Sequence, residues 1–304
     1  MKPKSKASPL LGLTVGIFTL SFAGILIRLC GMNPFALSAF RTLAGGLILL
    51  PFALRHMRRD FPALGRRDRL LLAGAGLLMA LHFVSWISSL FVTSVGSAMM
   101  TFGVLPVFAS IIGHFFLGEK FRKSAAVALV VAMAGIAIIS INDYAQEPAS
   151  VLGNLLALCG AVTFASILCI ARVLRRRMHI LSYAASMYLI AGLLLAPAFF
   201  FIGDEIPGYT SEMWMFLALI IIVPQLTGHT LLNWVMKYLR AFTVNLSVLV
   251  EPVVATVLAG FILGETHTWP FFLGGALVIA GIAYHLVSEQ RSAGSARGEV
   301  YSDV

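Results

Sequence analysis

Charge is scarce in this chain. Only 12% of its 304 residues are charged, while 59% are hydrophobic. A soluble globular domain carries about a quarter charged residues, so a soluble fold is excluded. Acidic residues are scarcer than basic ones, 13 against 22, which leaves a net charge of +9. The excess does not point to a nucleic-acid partner, because the basic residues sit in short loops between apolar runs and are better read as orienting the chain in a membrane. Cysteine is nearly absent. Cys30, Cys159 and Cys169 form no CxxC pair, which excludes a disulfide framework and a zinc site. No P-loop, dinucleotide fingerprint or cluster of metal ligands occurs, so ATP drive, a cofactor, a metal and enzymatic catalysis are not expected.

What is present is a series of ten apolar runs, at about 9–29, 34–54, 70–91, 95–117, 124–141, 151–173, 180–202, 213–235, 242–263 and 270–287. About 20 apolar residues cross a bilayer as a helix, and helix is required because a lone strand in lipid leaves its backbone unpaired. The basic start MKPKSKASPL is similar to that of a signal peptide. The apolar run behind it continues to Leu29 without a small-residue cleavage site, so it is read as the first transmembrane helix.

The loops give the orientation. Lysines precede run 1, and Arg55, Arg58, Arg59, Arg66, Arg67 and Arg69 separate runs 2 and 3. Lys120, Arg122 and Lys123, then Arg172 and Arg175–Arg177, Lys237 and Arg240, and finally Arg291 and Arg297 continue on the same side. Of the 22 basic residues only Arg28 and Arg41 fall elsewhere, and the opposite loops hold Asp143, Glu147, Asp204, Glu205, Glu212 and Glu265. The positive-inside rule therefore expects a multi-pass protein of the inner membrane with both termini in the cytoplasm.

The chain also repeats itself. A shift of 146 residues carries Gly46 onto Gly192, Pro51 onto Pro197, Pro106 onto Pro252, Gly118-Glu119 onto Gly264-Glu265 and Gly135 onto Gly281 without a gap. Five helices per unit is an odd number, so the second unit starts from the opposite side of the membrane. The expected fold is an all-α membrane protein of ten transmembrane helices in two inverted five-helix repeats, 9–142 and 151–287. A cytoplasmic tail spans 1–8, and a short polar tail at 288–304 is expected to be disordered. Duplicated membrane units are the common plan of secondary transporters, with the substrate held between the halves.

Polar residues at membrane depth are costly and are candidates for function. His82, Ser85, Trp86 and Ser89 share one face of the third helix. Ser97 and Thr101 in helix 4 fall, under the shift, on Thr243 and Ser247, and Glu251 extends that second stripe. Gln225 and His229 share a face of helix 8. The stripes either line a shared wet cavity or act as helix glue. Arg41 lies about 10 Å into helix 2 at the helical rise. It keeps its charge there, so it reads a substrate carboxylate, pairs with Glu251, contacts a neighbouring helix end or snorkels to the outer surface. Glu251 could exchange protons, hold an amine or bond backbone freed by Pro252. His82 and His229 are polar contacts or proton carriers, and Trp86 is a stacking surface or a packed ring. Pro106 and Pro252 interrupt helices and are candidate hinges. Gly12 and Gly16 permit close helix packing.

These residues resemble the drug/metabolite transporter superfamily in its EamA-type branch. The resemblance is carried by Glu251-Pro252 followed by Leu263-Gly264-Glu265, by Pro106 and Gly118-Glu119 in matching places, and by Asn33-Pro34 followed by Arg41. It spans about residues 9–287. One departure is the absence of a tryptophan in helix 1, for which Phe18 or Phe22 could stand in. The resemblance implies a ten-helix inner-membrane carrier, often an exporter of amino acids or related metabolites. The expected partners are a small-molecule substrate that can bear a carboxylate, membrane lipid and coupling protons, in a monomer or a homodimer. An exchanger of phosphorylated or nucleotide-linked solutes would need several basic residues in the cavity. A membrane-embedded enzyme or a channel would need clustered catalytic groups or a pore ring.

Single cysteines placed at Asp143 or Asp204 should react with an impermeant thiol reagent added outside the cell, and cysteines at Arg58 or Arg176 should not. The reverse labelling pattern would invalidate the orientation.

Overall fold

A computed structural model describes residues 7–118, 123–202, 208–235 and 250–302. All regular structure among them is helical. The first apolar run is two helices, α1 (Ala7–Ser21) and α2 (Ala23–Cys30), joined through Phe22. Next come α3 (Pro34–Asp60), α4 (Arg66–Val92), α5 (Val95–Phe102), α6 (Leu105–Leu117), α7 (Lys123–Gln146), α8 (Ser150–Leu174) and α9 (Ile180–Ile202). The eighth run is composite: α10 (Ser211–Ile220), a π-helix over Ile221–His229, and α11 (Thr230–Val235). The described remainder is α12 (Val250–Leu263) and α13 (Trp269–Ser302). Among the described residues eight spans are long and apolar enough to cross a membrane, and two shorter apolar helices, Val250–Leu263 and Trp269–Gly281, accompany them.

Local chemistry sets the ends. Asn33 accepts a hydrogen bond from Phe35 N at 2.9 Å, and Pro34 follows at the first helical position, a strong start signal for α3. Ser94 caps α5 by accepting from Ser97 N at 3.0 Å. Gly118 and Gly264 close α6 and α12 with φ of 68° and 70°, a left-handed conformation that disfavours any side chain. This is why glycine stands in both Leu-Gly-Glu motifs. Glu265, just beyond, accepts from Val95 N at 2.8 Å and Gly96 N at 3.1 Å. Its carboxylate thus satisfies the orphan donors and positive end of α5.

Two features depart from the sequence reading. The helix expected to stop near 287 continues to Ser302 through the segment expected to be disordered. Alanine, glutamate and arginine there are good helix formers that extend an existing helix. The break foreseen at Pro106 falls just before it, at Gly103-Val104, because a proline is tolerated in the first turn of a helix. Pro252 lies near the described start of α12. The stretch before it, with Thr243 and Ser247, lies outside the described residues.

The tightest packing joins α3 to α9, α4 to α8 and α7 to the first turns of α13. Glycines make these approaches possible. A Cβ on Gly46 would lie 2.9 Å from Leu189 N, and one on Gly192 would lie 2.7 Å from Leu43 N. Adding 146 to 43 and 46 gives 189 and 192, so the two contacts exchange under the repeat shift. The same exchange relates Gly135, which faces Gly274 and Val278, to Gly281, which faces Ala128 and Ala132. Gly12 and Gly16 of α1 lie against Trp234 and Leu231 of α11, as small residues at such a crossing permit.

Gly192→Ala should lower stability by about 1–3 kcal/mol, since the atom it meets is backbone and cannot move aside. Gly74→Ala in α4, with nothing within 4 Å of the new methyl, should leave stability unchanged or raise it by up to about 1 kcal/mol. Denaturant titration in detergent distinguishes the two.

Candidate substrate-binding cavity

A cavity of about 50 Å³ lies between α1–α6, α8, the π-helix, α11 and α12, room for a few waters. Its polar lining is Arg41, His82, Trp86, His229 and Glu251. These five residues come from four stripes or positions singled out in the sequence, now facing one space. Phe83, Phe102 and Phe164 supply the aromatic wall, with Leu20, Leu105 and Leu232 among the aliphatic remainder. Several lining residues are related by the repeat shift: Phe83 to His229, Trp86 to Leu232 and Leu105 to Glu251.

Arg41 is 1% exposed. Its Nε donates to Gln225 Oε1 at 2.8 Å, and Gln225 Nε2 donates back to the Arg41 carbonyl at 2.9 Å. The guanidinium carbon lies 4.0 Å over the centroid of Phe83, a cation–π contact. Nη2 is buried and has no hydrogen-bond partner. The pairing of Arg41 with Glu251 considered from sequence is not what forms: among the described residues Arg41 makes no ion pair, and Gln225 takes the place of the carboxylate. A neutral amide orients the guanidinium and leaves its charge uncompensated. Glu251 is also buried and lines the same space. Arg28, by contrast, donates from Nη1 to the Leu90 carbonyl at the end of α4.

His82 Nδ1 lies 3.0 Å from the Gly160 carbonyl. A carbonyl only accepts, so Nδ1 carries the proton and Nε2 remains an acceptor in the neutral ring. The ring stacks on Phe164 with centroids 4.9 Å apart, and Phe164 meets His229 edge-on at 5.3 Å. Trp86 and Phe102 lie 4.7 Å apart. Phe164 and Phe102 were missed in the sequence because single phenylalanines in an apolar run carry no positional signal.

Not every candidate reaches the cavity. Ser85 donates to the Leu81 and His82 carbonyls and Ser89 to the Trp86 carbonyl, the self-bonding of helix glue. Thr101 is fully buried outside the lining, with no partner for its hydroxyl. Gln225 acts on Arg41 rather than on the space, and Ser247 lies outside the described residues. Phe18 and Phe22 pack edge-on against each other at 5.2 Å, and Leu20 and Ala23 line the cavity from that end.

A second, wider cavity of about 340 Å³ lies at the end of the bundle that carries Glu265 and His267, with Arg28, Asp143 and Glu147. His267 stacks on Phe271 at 3.9 Å. Burial holds its pKa below the usual histidine value, against the opposing pull of Glu265 and Asp143. Because the folded pKa is depressed, the unfolded chain binds the proton more readily, and His267 withdraws stability as the pH falls below about 6.5.

Serine and tryptophan substitutions separate glue from lining. Ser89→Ala should leave transport within about twofold. Trp86→Ala should reduce it about tenfold, the equivalent of ~1.4 kcal/mol, with thermal stability of the purified protein measured alongside. Equal effects of the two changes would mean that the cavity does not contact substrate.

Known proteins bear on this geometry. The model of the EamA-like transporter family matches residues 7–141 and again 151–287. A protein of Archaeoglobus fulgidus described as an uncharacterized transporter is 23% identical over 85% of this chain and 88% of its own length. Bacillus subtilis YdfC, with the same description, is 24% identical over 90% and 88%. A protein of Streptantibioticus cattleyicolor described as a "probable terminal-alkyne amino-acid exporter" is 26% identical over 91% and 92%. A solved crystal structure shares the fold, with a TM-score of 0.65 at 20% identity over 94% of this chain and 99% of that one. With the family model covering nearly every helix, this all-helical, multi-pass membrane protein belongs to the EamA-like transporter family.

Proposed function

We propose that the protein is a secondary carrier that exports a small carboxylate-bearing metabolite, an amino acid or a close relative, by alternating access across the inner membrane with both termini in the cytoplasm. The observation that carries this reading is Arg41: a permanently charged group at membrane depth whose Nη2 has no partner, in a cavity that Glu251 also lines. A buried cation without a counter-ion is costly, and a substrate carboxylate supplies the missing one. Glu251 is the matching acceptor for an amine, and the aromatic wall suits the rest of such a molecule.

The two halves act as inverted repeats, 9–142 and 151–287. Support comes from the glycine contacts and cavity residues that exchange under the 146 shift, since an exchange of this kind is what a two-fold axis between the halves requires. The interruption before Pro106, and Pro252 in the matching place, serve as hinges for rocking one half against the other. Glu251 is the candidate proton carrier. The export direction draws on the amino-acid exporter among the relatives. A phosphorylated substrate is disfavoured because Arg41 is the single arginine or lysine lining the described cavity.

In proteoliposomes the purified protein should show saturable, trans-stimulated flux of an amino acid. Arg41→Gln should weaken recognition of that compound at least about thirtyfold, the equivalent of ~2 kcal/mol for a hydrogen bond to a charged group, and leave its amide unaffected. Glu251→Gln should preserve exchange and remove pH-driven net flux. Undiminished flux of the carboxylate through Arg41→Gln would refute the reading.

A further inference from the structure

Arginine can meet a carboxylate along two edges, sideways through Nε and one Nη, or end-on through both Nη atoms. In this protein the choice has been made by a residue outside the cavity lining. Gln225 Oε1 occupies Nε at 2.8 Å, and its Nε2 returns to the carbonyl of Arg41 itself at 2.9 Å. The guanidinium is thereby tied to its own backbone. Phe83 covers one face at 4.0 Å, and Nη2 is left without a partner. We infer that Gln225 is the positioning residue that sets carboxylate specificity, by forcing Arg41 to present its Nη end while leaving its charge uncancelled. The inference rests on Arg41 being the carboxylate-binding group.

Three observations argue against a merely structural role. Under the 146 shift Arg41 falls on Met187 and Gln225 on Met79, both fully buried methionines. The symmetry-related pair, again one residue from each half, is thus built from apolar side chains alone, so packing does not demand a polar pair. Space is also made for Gln225 on the helix that carries Arg41. A Cβ on Gly45 would collide with Gln225 Nε2, and the matching position is Ala191. The π-helix that carries Gln225 points the same way, since π-turns inside helices gather at functional sites.

The test compares each of the twenty proteinogenic L-amino acids with its amide, by thermal shift and by inhibition of flux, on purified wild-type protein and variants. Wild type should favour the acid over the amide for any amino acid that binds, and Arg41→Gln should lose that preference. Gln225→Leu should reduce it about tenfold, with the change in apparent affinity rather than maximal rate. Gly45→Ala, which displaces the amide without touching Arg41, should reproduce it. Gln225→Glu should also weaken acid binding, because a carboxylate would orient Arg41 yet cancel its charge. If no amino acid binds, or Arg41→Gln keeps the preference, the carboxylate reading fails and takes this one with it. If Arg41→Gln loses the preference while Gln225→Leu and Gly45→Ala keep it, the positioning role alone is overturned, even where those variants are less stable.

Discussion

The architecture depends on backbones brought close enough that a single methyl would not fit. At Gly46 and Gly192 the obstructing atoms include main-chain nitrogens of the partner helix, and at Gly135 and Gly274 the nearest are each other's carbonyl oxygens. Lipid offers no hydrophobic drive for one apolar helix to leave it for another, so association rests on van der Waals contact, which close approach maximises. Each such seam joins one half of the chain to the other. The polar groups of the centre are covered as a consequence, because the cavity is walled by helices that the seams hold together.

Within that frame, the cost of one charge shapes the chemistry. An arginine at this depth needs oriented dipoles or a counter-ion. Gln225 and Phe83 meet part of that need, and the remainder falls to whatever enters the cavity. The neighbouring serines show the contrasting outcome: Ser85 and Ser89 spend their hydroxyls on carbonyls of their own helix. Position on a polar stripe was therefore a weaker guide than the ability of a side chain to satisfy itself. Serine can always turn back to its backbone, whereas arginine and the histidine rings cannot.

Much of the fold was legible because it follows from repeated constraints. Apolar length marks each span, and glycine at 118 and 264 marks a left-handed helix end that few other residues accept. The 146 shift named the glycines before the structure showed what they touch. The cavity was legible only in part. Arg41, His82, Trp86, His229 and Glu251 stand out as polar or bulky groups against an apolar background and do converge. The partnership of Arg41 with Gln225 was hidden. The pair is separated by 184 positions, and the π-helix alters the register on which a face-by-face reading relies. The continuation of α13 to Ser302 was hidden too, since a polar sequence is permitted to be helical without being required to be.

The seams between halves also constrain how the molecule comes into being. Gly46 cannot meet Leu189 until more than a hundred further residues have been made and inserted. Until then α3 and α7 stand in the bilayer with their notched faces open to lipid, and Arg41 has no Gln225. Contacts of such sequence distance form late and leave early segments exposed. The nascent first half is therefore the stage most open to misassembly and to capture by membrane quality control, and damage to the second half is felt first as a failure of the first to settle.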